Sequence, residues 1–238
     1  MRRGKLIGLG TGPGDPDLLT VRAVRILQGA QVVAFVASAG RASRARETAA
    51  AELRPGTREL VAVLPAGADA TATSRAYGQL ATGIVGELGQ GNDVVFLCEG
   101  DPLLHGTFAA LIERLGTRFE SVAVPGITGF AAAAAAALWP LALREQALAV
   151  VPASLPQRRL EAILADVDRA VLIRVGRHLG KVRQALATCR MAQGALLVDA
   201  PSEPGARARP LREVAVEAVG PGALVLAARA PAGAERTG

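Results

Sequence analysis

Three short glycine-containing segments each follow an apolar run, at places where a main chain can approach a ligand closely. They are Gly8–Asp15, Glu99–Gly106 and Pro125–Thr128. Glycine removes the side chain that would hold another group away, and proline fixes the direction of a turn. In an open α/β sheet, ligands bind at the carboxyl ends of the strands. We therefore expect the three segments to form one binding site, in which Asp101 can accept hydrogen bonds from an amine or a hydroxyl group.

The first segment matches none of the common glycine motifs for nucleotides. A dinucleotide fingerprint that starts at Gly8 needs glycine where Pro13 stands, and one that starts at Gly10 needs glycine where Asp15 stands. The Walker sequence G-K-[ST] is absent, and Leu6 holds the place of the acidic residue that often precedes the turn in Rossmann-like methyltransferases. Taken alone, the first segment is also compatible with a purely structural strand-to-helix turn.

The three segments are positioned by alternating strand and helix patterns. Short apolar runs predict buried strands, and apolar residues at steps of three and four predict helices, the clearest of which runs from a Ser74 cap to Leu88. The predicted strands are 5–7, 31–36, 93–98, 122–124, 147–151, 170–173, 195–198 and 223–227. The predicted helices are 18–27, 43–53, 74–88, 107–115, 157–165 and 178–187, with an alanine-rich helix after Thr128 that Pro140 ends.

This order of elements predicts an α/β protein. Strand and helix alternate over the first half, which favours a mainly parallel sheet with crossover helices. The second half repeats the alternation with different spacing, and residues 207–212 are predicted to be a connector. We therefore expect two α/β domains, 1–124 and 125–238, without a flexible linker, and the groove between them is the default ligand site.

Composition excludes several other classes of protein. The chain has 238 residues, half of them hydrophobic, which is enough for a sizeable core. Its longest apolar stretch, Phe130–Leu138, is far shorter than the roughly 20 residues that span a bilayer. The two cysteines and two histidines show no zinc-type spacing. We expect no metal site, no membrane partner and, because no secretory signal precedes the first strand, a cytoplasmic protein.

The charge balance favours an anionic small-molecule partner. Lysine and arginine total 27 against 21 acidic residues, and Lys5 and Lys181 are the only lysines. The planar guanidinium group suits carboxylates and phosphates, although GC-rich codon usage also explains a preference for arginine. Aromatic residues make up 3% of the chain, which leaves few platforms for stacked bases. We therefore expect no nucleic acid among the partners.

Together the three segments resemble the tetrapyrrole methylase family, the S-adenosylmethionine-dependent enzymes of corrin and sirohaem synthesis. The resemblance extends from Leu6 to about Arg229. Within the family, Cys98–Pro102 followed by Gly106, together with Leu172–Arg177, is most similar to the methylases that modify C-20 of precorrin-2. The resemblance implies methyl transfer to precorrin-2, or to its cobalt-loaded form, during cobalamin synthesis.

The resemblance also implies a structure and a set of site residues. It implies two α/β domains of the tetrapyrrole methylase type, a homodimer, and S-adenosylmethionine bound in the interdomain cleft. The residues that match cofactor-binding positions are Pro13, Glu99, Gly100, Asp101, Leu104, Thr128, Gly129, Val175, Ala223 and Leu224. The tetrapyrrole substrate is anionic because it carries acetate and propionate groups, and the residues that we expect to contact it are Arg41, Arg44, Arg46, Tyr77, Arg174 and Arg177. His105 is the candidate general base, because histidine is the side chain suited to proton transfer near neutral pH.

Other interpretations stay open from the residues alone. His105 can be a hydrogen-bonded turn residue, Tyr77 can belong to the core, and some arginines can pair with Glu47 or Glu52 instead of substrate. At the level of function, the alternatives are a related methylase that modifies another ring carbon or a different substrate, a catalytically idle cofactor-binding scaffold, and a basic nucleic-acid-binding protein. Methyl transfer from a sulfonium centre itself asks mainly for orientation of the reactants.

Overall fold

Strands and helices alternate along the chain, as the sequence predicts. The computed structural model describes residues 3–65, 67, 69–199, 207–215, 219–220 and 222–229. The chain divides into two compact units, Met1–Thr128 and Gly129–Gly238. The elements of the first unit are β1 (Leu6–Gly10), α1 (Val21–Leu27), β2 (Val32–Ser38), α2 (Arg44–Thr48), β3 (Arg58–Leu64), α3 (Ala70–Gly89), β4 (Val94–Cys98), α4 (Thr107–Leu115) and β5 (Ser121–Val124). The predicted domain boundary after residue 124 stays a prediction.

The first unit contains a five-stranded sheet in which neighbouring strands are parallel. The strand order is β3-β2-β4-β1-β5, which confirms the predicted parallel sheet. β1 and β4 lie side by side, and the chain leaves them toward opposite edges of the sheet, to β2 and to β5 respectively. Such a reversal opens a crevice at the carboxyl ends of the two strands, where α/β sheets bind ligands. The turns that follow β1 and β4 therefore lie at the favoured place for a site.

Both faces of this sheet are buried, which explains the continuous apolar pattern of β4. Val94, Phe96 and Cys98 pack with α3 and α4 on one face, and Val95 and Leu97 pack with α1 and α2 on the other. Successive residues of a strand point to opposite faces, so a strand that is covered on both sides is apolar throughout.

Gly8 has a packing role in β1. A Cβ atom at this position would lie 2.3 Å from the ring of Phe108 in α4, and this phenylalanine is fully buried. A side chain at position 8 would therefore push α4 away from the sheet. Packing against α4 therefore explains why glycine stands at position 8. Gly10 and Gly12 lie farther along the chain, at the carboxyl end of β1 and just after it.

Three helices of the first unit differ from their predicted bounds, and the first of them, α1, begins at Val21 instead of at residue 18. α3 begins at Ala70 and not at Ser74, because the carboxylate of Asp69 accepts the Ala72 N–H at 2.7 Å and caps the helix there. The prediction that Ser74 is the cap is therefore wrong, and this residue lies inside α3. The predicted helix before it is also too long, since α2 ends at Thr48 and a separate 3-10 turn follows.

The second unit contains a mixed sheet. Its elements are α5 (Gly129–Ala136), β6 (Leu148–Pro152), α6 (Gln157–Ala165), β7 (Arg169–Ile173), α7 (Leu179–Thr188), β8 (Leu196–Val198), β9 (Ala208–Pro210) and β10 (Leu224–Ala228). The strand order is β6-β7-β10-β8-β9, in which β6 and β7 are parallel and the other neighbours are antiparallel. α6 and α7 pack on one face of this sheet, and α5 packs on the other.

β3 and β9 are strands that the sequence patterns do not predict. Both lie at the edge of their sheets. In β3 only Ala62 is buried, and Val61 and Val63 are 41% and 53% exposed. An edge strand of this kind lacks the buried apolar run by which the other strands are recognised. β9 occupies part of the predicted connector 207–212, where proline and arginine obscure the strand.

Within the described ranges, neither a metal centre nor a membrane-spanning helix is found. No three histidine, cysteine, aspartate or glutamate side chains of this part of the chain lie together in a way that could hold a metal ion. None of its helices is both long enough and apolar enough to cross a lipid bilayer.

Candidate active site

The first and second glycine segments pair with each other at the carboxyl ends of β1 and β4. The Gly100 N–H donates to the Gly12 carbonyl at 2.7 Å, and the Gly12 N–H donates to the Gly100 carbonyl at 3.3 Å. Gly12 and Gly100 have φ angles of 75° and 71°, a conformation that glycine adopts at little cost. The two segments therefore form a short antiparallel bridge of main-chain atoms.

The third segment reaches the same place through Gly126. A Cβ atom at Gly126 would lie 2.1 Å from the Gly100 carbonyl oxygen and 2.8 Å from the Gly10 Cα atom. A Cβ atom at Gly10 would lie 2.5 Å from the same carbonyl oxygen and 2.6 Å from the Gly126 nitrogen. Real side chains do not approach main-chain atoms so closely, so both positions require glycine. We refer to the meeting point of Gly10, Gly12, Gly100 and Gly126 as the glycine junction.

Asp101 ties the second segment to the third. Its Oδ1 atom accepts the Leu103 N–H at 2.9 Å, and its Oδ2 atom accepts the Gly126 N–H at 3.2 Å. A carboxylate offers about four lone-pair positions, so each oxygen can accept a second hydrogen bond. The sequence predicts that Asp101 binds a donor group of a ligand. In the structure its carboxylate also holds the glycine junction together.

The end of β4 is buried and chemically unreactive. Thr11, which is fully buried, donates its N–H and its hydroxyl to the Cys98 carbonyl at 2.8 and 3.0 Å. Burial, and to a lesser extent the negative charge of Asp101, together raise the pKa of the Cys98 thiol from 9.0 to about 12. The thiol therefore keeps its proton at neutral pH. Because the thiolate is the nucleophilic form, Cys98 is a structural residue and not a nucleophile.

The other cofactor residues that were predicted up to the start of the second unit differ in exposure. Pro13, directly after the junction residue Gly12, is buried. Leu104 is 38% exposed, and its neighbour Leu103 is 57% exposed. Thr128 is half-buried in the third segment, and Gly129 is the first residue of α5. The exposed leucines are apolar surface in the turn that Asp101 begins.

Besides Gly129, three predicted cofactor residues belong to the second unit, and the structure brings these three together there. The Val175 N–H donates to the Ala223 carbonyl at 3.3 Å, and Leu224 is the first residue of β10. The side chains of all three are buried, with at most 3% exposed. Any contact that they make with a ligand therefore comes from main-chain atoms, which the sequence does not indicate.

The predicted substrate arginines divide into two groups. In the first unit, Arg44 pairs with Glu99 at 3.5 Å and Arg46 pairs with Glu59 at 2.6 Å. The sequence predicts Glu99 as a cofactor residue and does not reveal its ion pair. The remaining predicted arginines are exposed and lie next to strands or turns: Arg41, Arg174 and Arg177.

A family assignment follows from comparison with known proteins. The model of the tetrapyrrole (corrin/porphyrin) methylases matches residues 5–200. The chain belongs to this family. Over 220 residues it is 39% identical to the cobalamin biosynthesis protein CobIJ of Mycobacterium tuberculosis, a match that covers 89% of this chain and 43% of that protein. The chain thus spans less than half the length of this mycobacterial protein.

Two C(20)-methyltransferases match along most of both chains. The precorrin-2 C(20)-methyltransferase of Sinorhizobium sp is 38% identical over 204 residues, which are 82% of this chain and 83% of that one. The cobalt-precorrin-2 C(20)-methyltransferase of Salmonella typhimurium is 34% identical over 215 residues, which are 89% of this chain and 90% of that one. The resemblance seen in the glycine segments is therefore confirmed at the level of the family.

Solved structures of the tetrapyrrole methylase family share the fold. A cobalt precorrin-4 methyltransferase superimposes with a TM-score of 0.72 and 23% identity, over 94% of each chain. The uroporphyrin-III C-methyltransferase of Thermus thermophilus, in complex with S-adenosylhomocysteine, gives a TM-score of 0.69 and 26% identity over 94% of this chain and 97% of that one. The predicted α/β fold of the tetrapyrrole methylase type is confirmed.

In this member of the family, a cavity of about 450 Å³ opens beside the second glycine segment. It brings together Tyr77 of α3 and His105, which precedes α4 and has a φ angle of 51°. The hydroxyl oxygens of Tyr77 and Thr107 lie 3.4 Å apart. The sequence predicts Tyr77 as a substrate residue and His105 as a base, and the structure shows that they share one cavity.

Two arginines near this cavity were not among the predicted site residues. Arg114 of α4 lines the cavity and also a neighbouring depression of about 540 Å³, which Arg75 of α3 lines as well. One sequence signal could have placed Arg114 beside the second glycine segment. Thr107 and Arg114 are seven residues apart, and residues with this spacing lie on one face of a helix. That spacing does not show that α3 and α4 cover the same face of the sheet, so the two arginines could not be connected from the sequence.

Proposed function

We propose that this protein transfers a methyl group from S-adenosylmethionine to C-20 of precorrin-2, or of cobalt-precorrin-2, in the biosynthesis of cobalamin. One observation carries the proposal. The Sinorhizobium and Salmonella relatives, which match along more than four fifths of both chains, are both C(20)-methyltransferases by name. They differ in whether the named substrate contains cobalt, so the proposed substrate class includes both forms.

The glycine junction fits S-adenosylmethionine as the cofactor. This molecule carries an amine, two ribose hydroxyls and an adenine amino group, all of them hydrogen-bond donors, beside an apolar purine face. Each oxygen of Asp101 can accept a second hydrogen bond, and Leu103 and Leu104 expose apolar surface. The proposed cofactor residues are Pro13, Glu99, Gly100, Asp101, Leu104, Thr128 and Gly129, with Val175, Ala223 and Leu224 contributing main-chain atoms.

The reaction asks the chain mainly for orientation. When bound, S-adenosylmethionine supplies a methyl group on a positively charged sulfur, which a nucleophilic carbon of the substrate displaces. Residues that hold the two reactants in line therefore supply most of the acceleration. The methylated carbon must afterwards lose a proton. An imidazole nitrogen of His105, on the cavity wall in the second glycine segment, is the proposed acceptor of that proton.

The proposal includes a cytoplasmic homodimer. Leu138 and Leu143 are 92% and 49% exposed in the second unit, near a depression of about 350 Å³ that Trp139 and Leu141 line. An exposed apolar patch supports a protein contact, and a two-fold axis lets the same patch of a second copy cover it. Light scattering should give twice the 24.3 kDa mass of one chain, and the Leu138→Glu variant should give the monomer mass. A wild-type monomer at micromolar concentration would contradict the dimer.

Product analysis tests the methyl transfer. Purified protein is incubated with precorrin-2 and S-adenosylmethionine labelled with carbon-13 in its methyl group, and the new methyl is located by NMR. Label at C-20 is expected. Label at another carbon would assign a different reaction of the family, and binding of S-adenosylhomocysteine without transfer would indicate a cofactor-binding scaffold. Asp101→Ala, which loses both main-chain contacts of the carboxylate, is the matched negative control.

A further inference from the structure

The surface between α3 and α4 is cationic. We define the α3–α4 groove as the cavity of about 450 Å³ together with the neighbouring depression of about 540 Å³, which share Ala70, Ser74 and Arg114. Arg75 and His105 complete the basic residues of its lining. None of the described residues that line the groove is an aspartate or a glutamate. The lining therefore favours an anionic ligand.

Two guanidinium groups of the groove are available to such a ligand. Arg75 and Arg114 are exposed, and neither guanidinium group has a hydrogen-bond or ion-pair partner among the residues that the structure describes. Arg114 reaches across to α3 at Gly78, where its Nη2 atom lies 3.4 Å from the position that a Cβ atom would occupy. By contrast, the predicted substrate residues Arg44 and Arg46 form ion pairs within the chain.

The rest of the lining is amphipathic. Leu80, Phe96 and Leu111 form a buried apolar floor in the cavity, and Tyr77 and Thr107 place two hydroxyl groups above it. An apolar floor with cations at one end suits a ligand that has a flat hydrocarbon part and a carboxylate. A phosphate ester of a sugar, which is polar throughout, would leave this floor without contacts.

We propose that the α3–α4 groove binds one acidic side chain of the substrate together with the pyrrole ring that carries it. The carboxylate meets Arg75 and Arg114, and the ring lies on Leu80, Phe96 and Leu111. This inference rests on the proposed function, because it takes a tetrapyrrole as the ligand. The groove takes this part of the substrate only, and the other rings extend past His105, which lies four residues after Asp101 in the same segment.

Titration with sirohydrochlorin, the oxidised and fluorescent form of precorrin-2, tests the groove without requiring turnover. The variants are Arg75→Gln and Arg114→Gln. Their matched control is Arg22→Gln, because Arg22 is an exposed arginine of α1, on the opposite face of the sheet. Each groove variant is expected to raise the Kd of sirohydrochlorin about tenfold, the loss that follows removal of one charge-assisted hydrogen bond. The control variant should bind sirohydrochlorin with the wild-type Kd. The Kd of S-adenosylhomocysteine should be unchanged in all three variants.

The outcomes separate this inference from the proposed function. A tenfold loss in both groove variants, with unchanged circular dichroism and cofactor affinity, supports the groove. If both variants bind sirohydrochlorin like the wild type, or if Arg22→Gln loses as much, the groove is not the subsite even though methyl transfer stands. If the wild-type protein neither binds sirohydrochlorin nor methylates precorrin-2, the proposed function fails and the inference fails with it. If Arg114→Gln proves unstable, Arg114→Lys replaces it, because lysine keeps the charge. Arg114→Lys should bind sirohydrochlorin more tightly than a variant without this charge and more weakly than the wild type. An affinity as low as that of Arg75→Gln would count against the groove.

Discussion

Replacing Gly126 with alanine tests the glycine junction directly. The added Cβ atom would lie 2.1 Å from the Gly100 carbonyl oxygen, about 1.3 Å closer than the 3.4 Å at which ordinary van der Waals contact begins. It would also lie 2.8 and 2.9 Å from the Cα and carbonyl carbon of Gly10. These neighbours are main-chain atoms held by the sheet and by the Gly12–Gly100 bridge. The third segment therefore has to move away.

The size of the effect follows from this displacement. A shift of about 1 Å, slightly less than the overlap, also breaks the 3.2 Å hydrogen bond from the Gly126 N–H to Asp101. Overpacking costs about 1–3 kcal/mol, and the loss of a hydrogen bond to a charged group costs about 1.5–3 kcal/mol. The lower flexibility of alanine in the unfolded chain offsets about 0.4–1 kcal/mol. We expect Gly126→Ala to lower the free energy of unfolding by about 2–5 kcal/mol.

Two measurements check this prediction. Urea unfolding followed by circular dichroism gives the stability, and calorimetry with S-adenosylhomocysteine gives the affinity, which should fall at least about tenfold because a misplacement near 1 Å is costly at a binding site. The matched control is Gly86→Ala in α3, where a Cβ atom meets nothing within 4 Å. The free energy of unfolding of this control should rise by up to about 1 kcal/mol. Its affinity for S-adenosylhomocysteine should equal that of the wild type. If Gly126→Ala unfolds and binds like the control, the reasoning about the junction is refuted.

Three more substitutions probe single residues of the site. Asp101→Asn leaves one of two main-chain N–H groups without an acceptor, so urea unfolding should show a loss of about 1–3 kcal/mol; wild-type stability would contradict the role of its carboxylate. Because burial raises the pKa of Cys98 from 9.0 to about 12, the folded state holds this proton more tightly than the unfolded state. Its contribution to stability is complete below about pH 9 and is lost between about pH 9 and 12, by at most about 1.4 kcal/mol per pH unit. The Cys98→Ala variant should lack this pH-dependent loss of stability. If the free energies of unfolding of the variant and the wild type change with pH in parallel between about pH 9 and 12, the prediction is contradicted. His105→Asn keeps a residue type that tolerates the φ angle of 51°; kcat should fall about 100-fold while cofactor affinity stays constant, and a loss of only about threefold would remove His105 from proton transfer.

The elements that carry the site were predictable because their signals are local. α4 and α6 coincide with the predicted helices 107–115 and 157–165, and β4 is apolar at every position because both of its faces are covered. The start of α3 was not predictable, since Asp69 and Ser74 are both good capping residues. Only the hydrogen bond from the Ala72 N–H to the Asp69 carboxylate distinguishes them. β3 lacks a local signal because it is an exposed edge strand.

The site was predictable in its main chain and not in its side-chain partners. Glycine positions mark where a turn needs positive φ or close approach, and these are properties of the local chain. The second bond of Asp101 instead depends on Gly126, 25 residues later in the sequence. Likewise, Arg46 pairs with Glu59 because α2 and β3 are brought together by the fold. The partner of a long side chain depends on the order of strands in the sheet, which no short pattern encodes.

This asymmetry agrees with the proposed chemistry. A methyl group on a positively charged sulfur is already a good electrophile, so the protein contributes mainly orientation, and main-chain atoms at the glycine junction can supply it. The acidic side chains of a tetrapyrrole require guanidinium groups instead, and their positions depend on how α3 and α4 pack. Arg75 and Arg114 are distant in sequence and line one depression only after folding. Substitutions at these two arginines should therefore change tetrapyrrole affinity alone, whereas a change at Gly126 should weaken cofactor binding first.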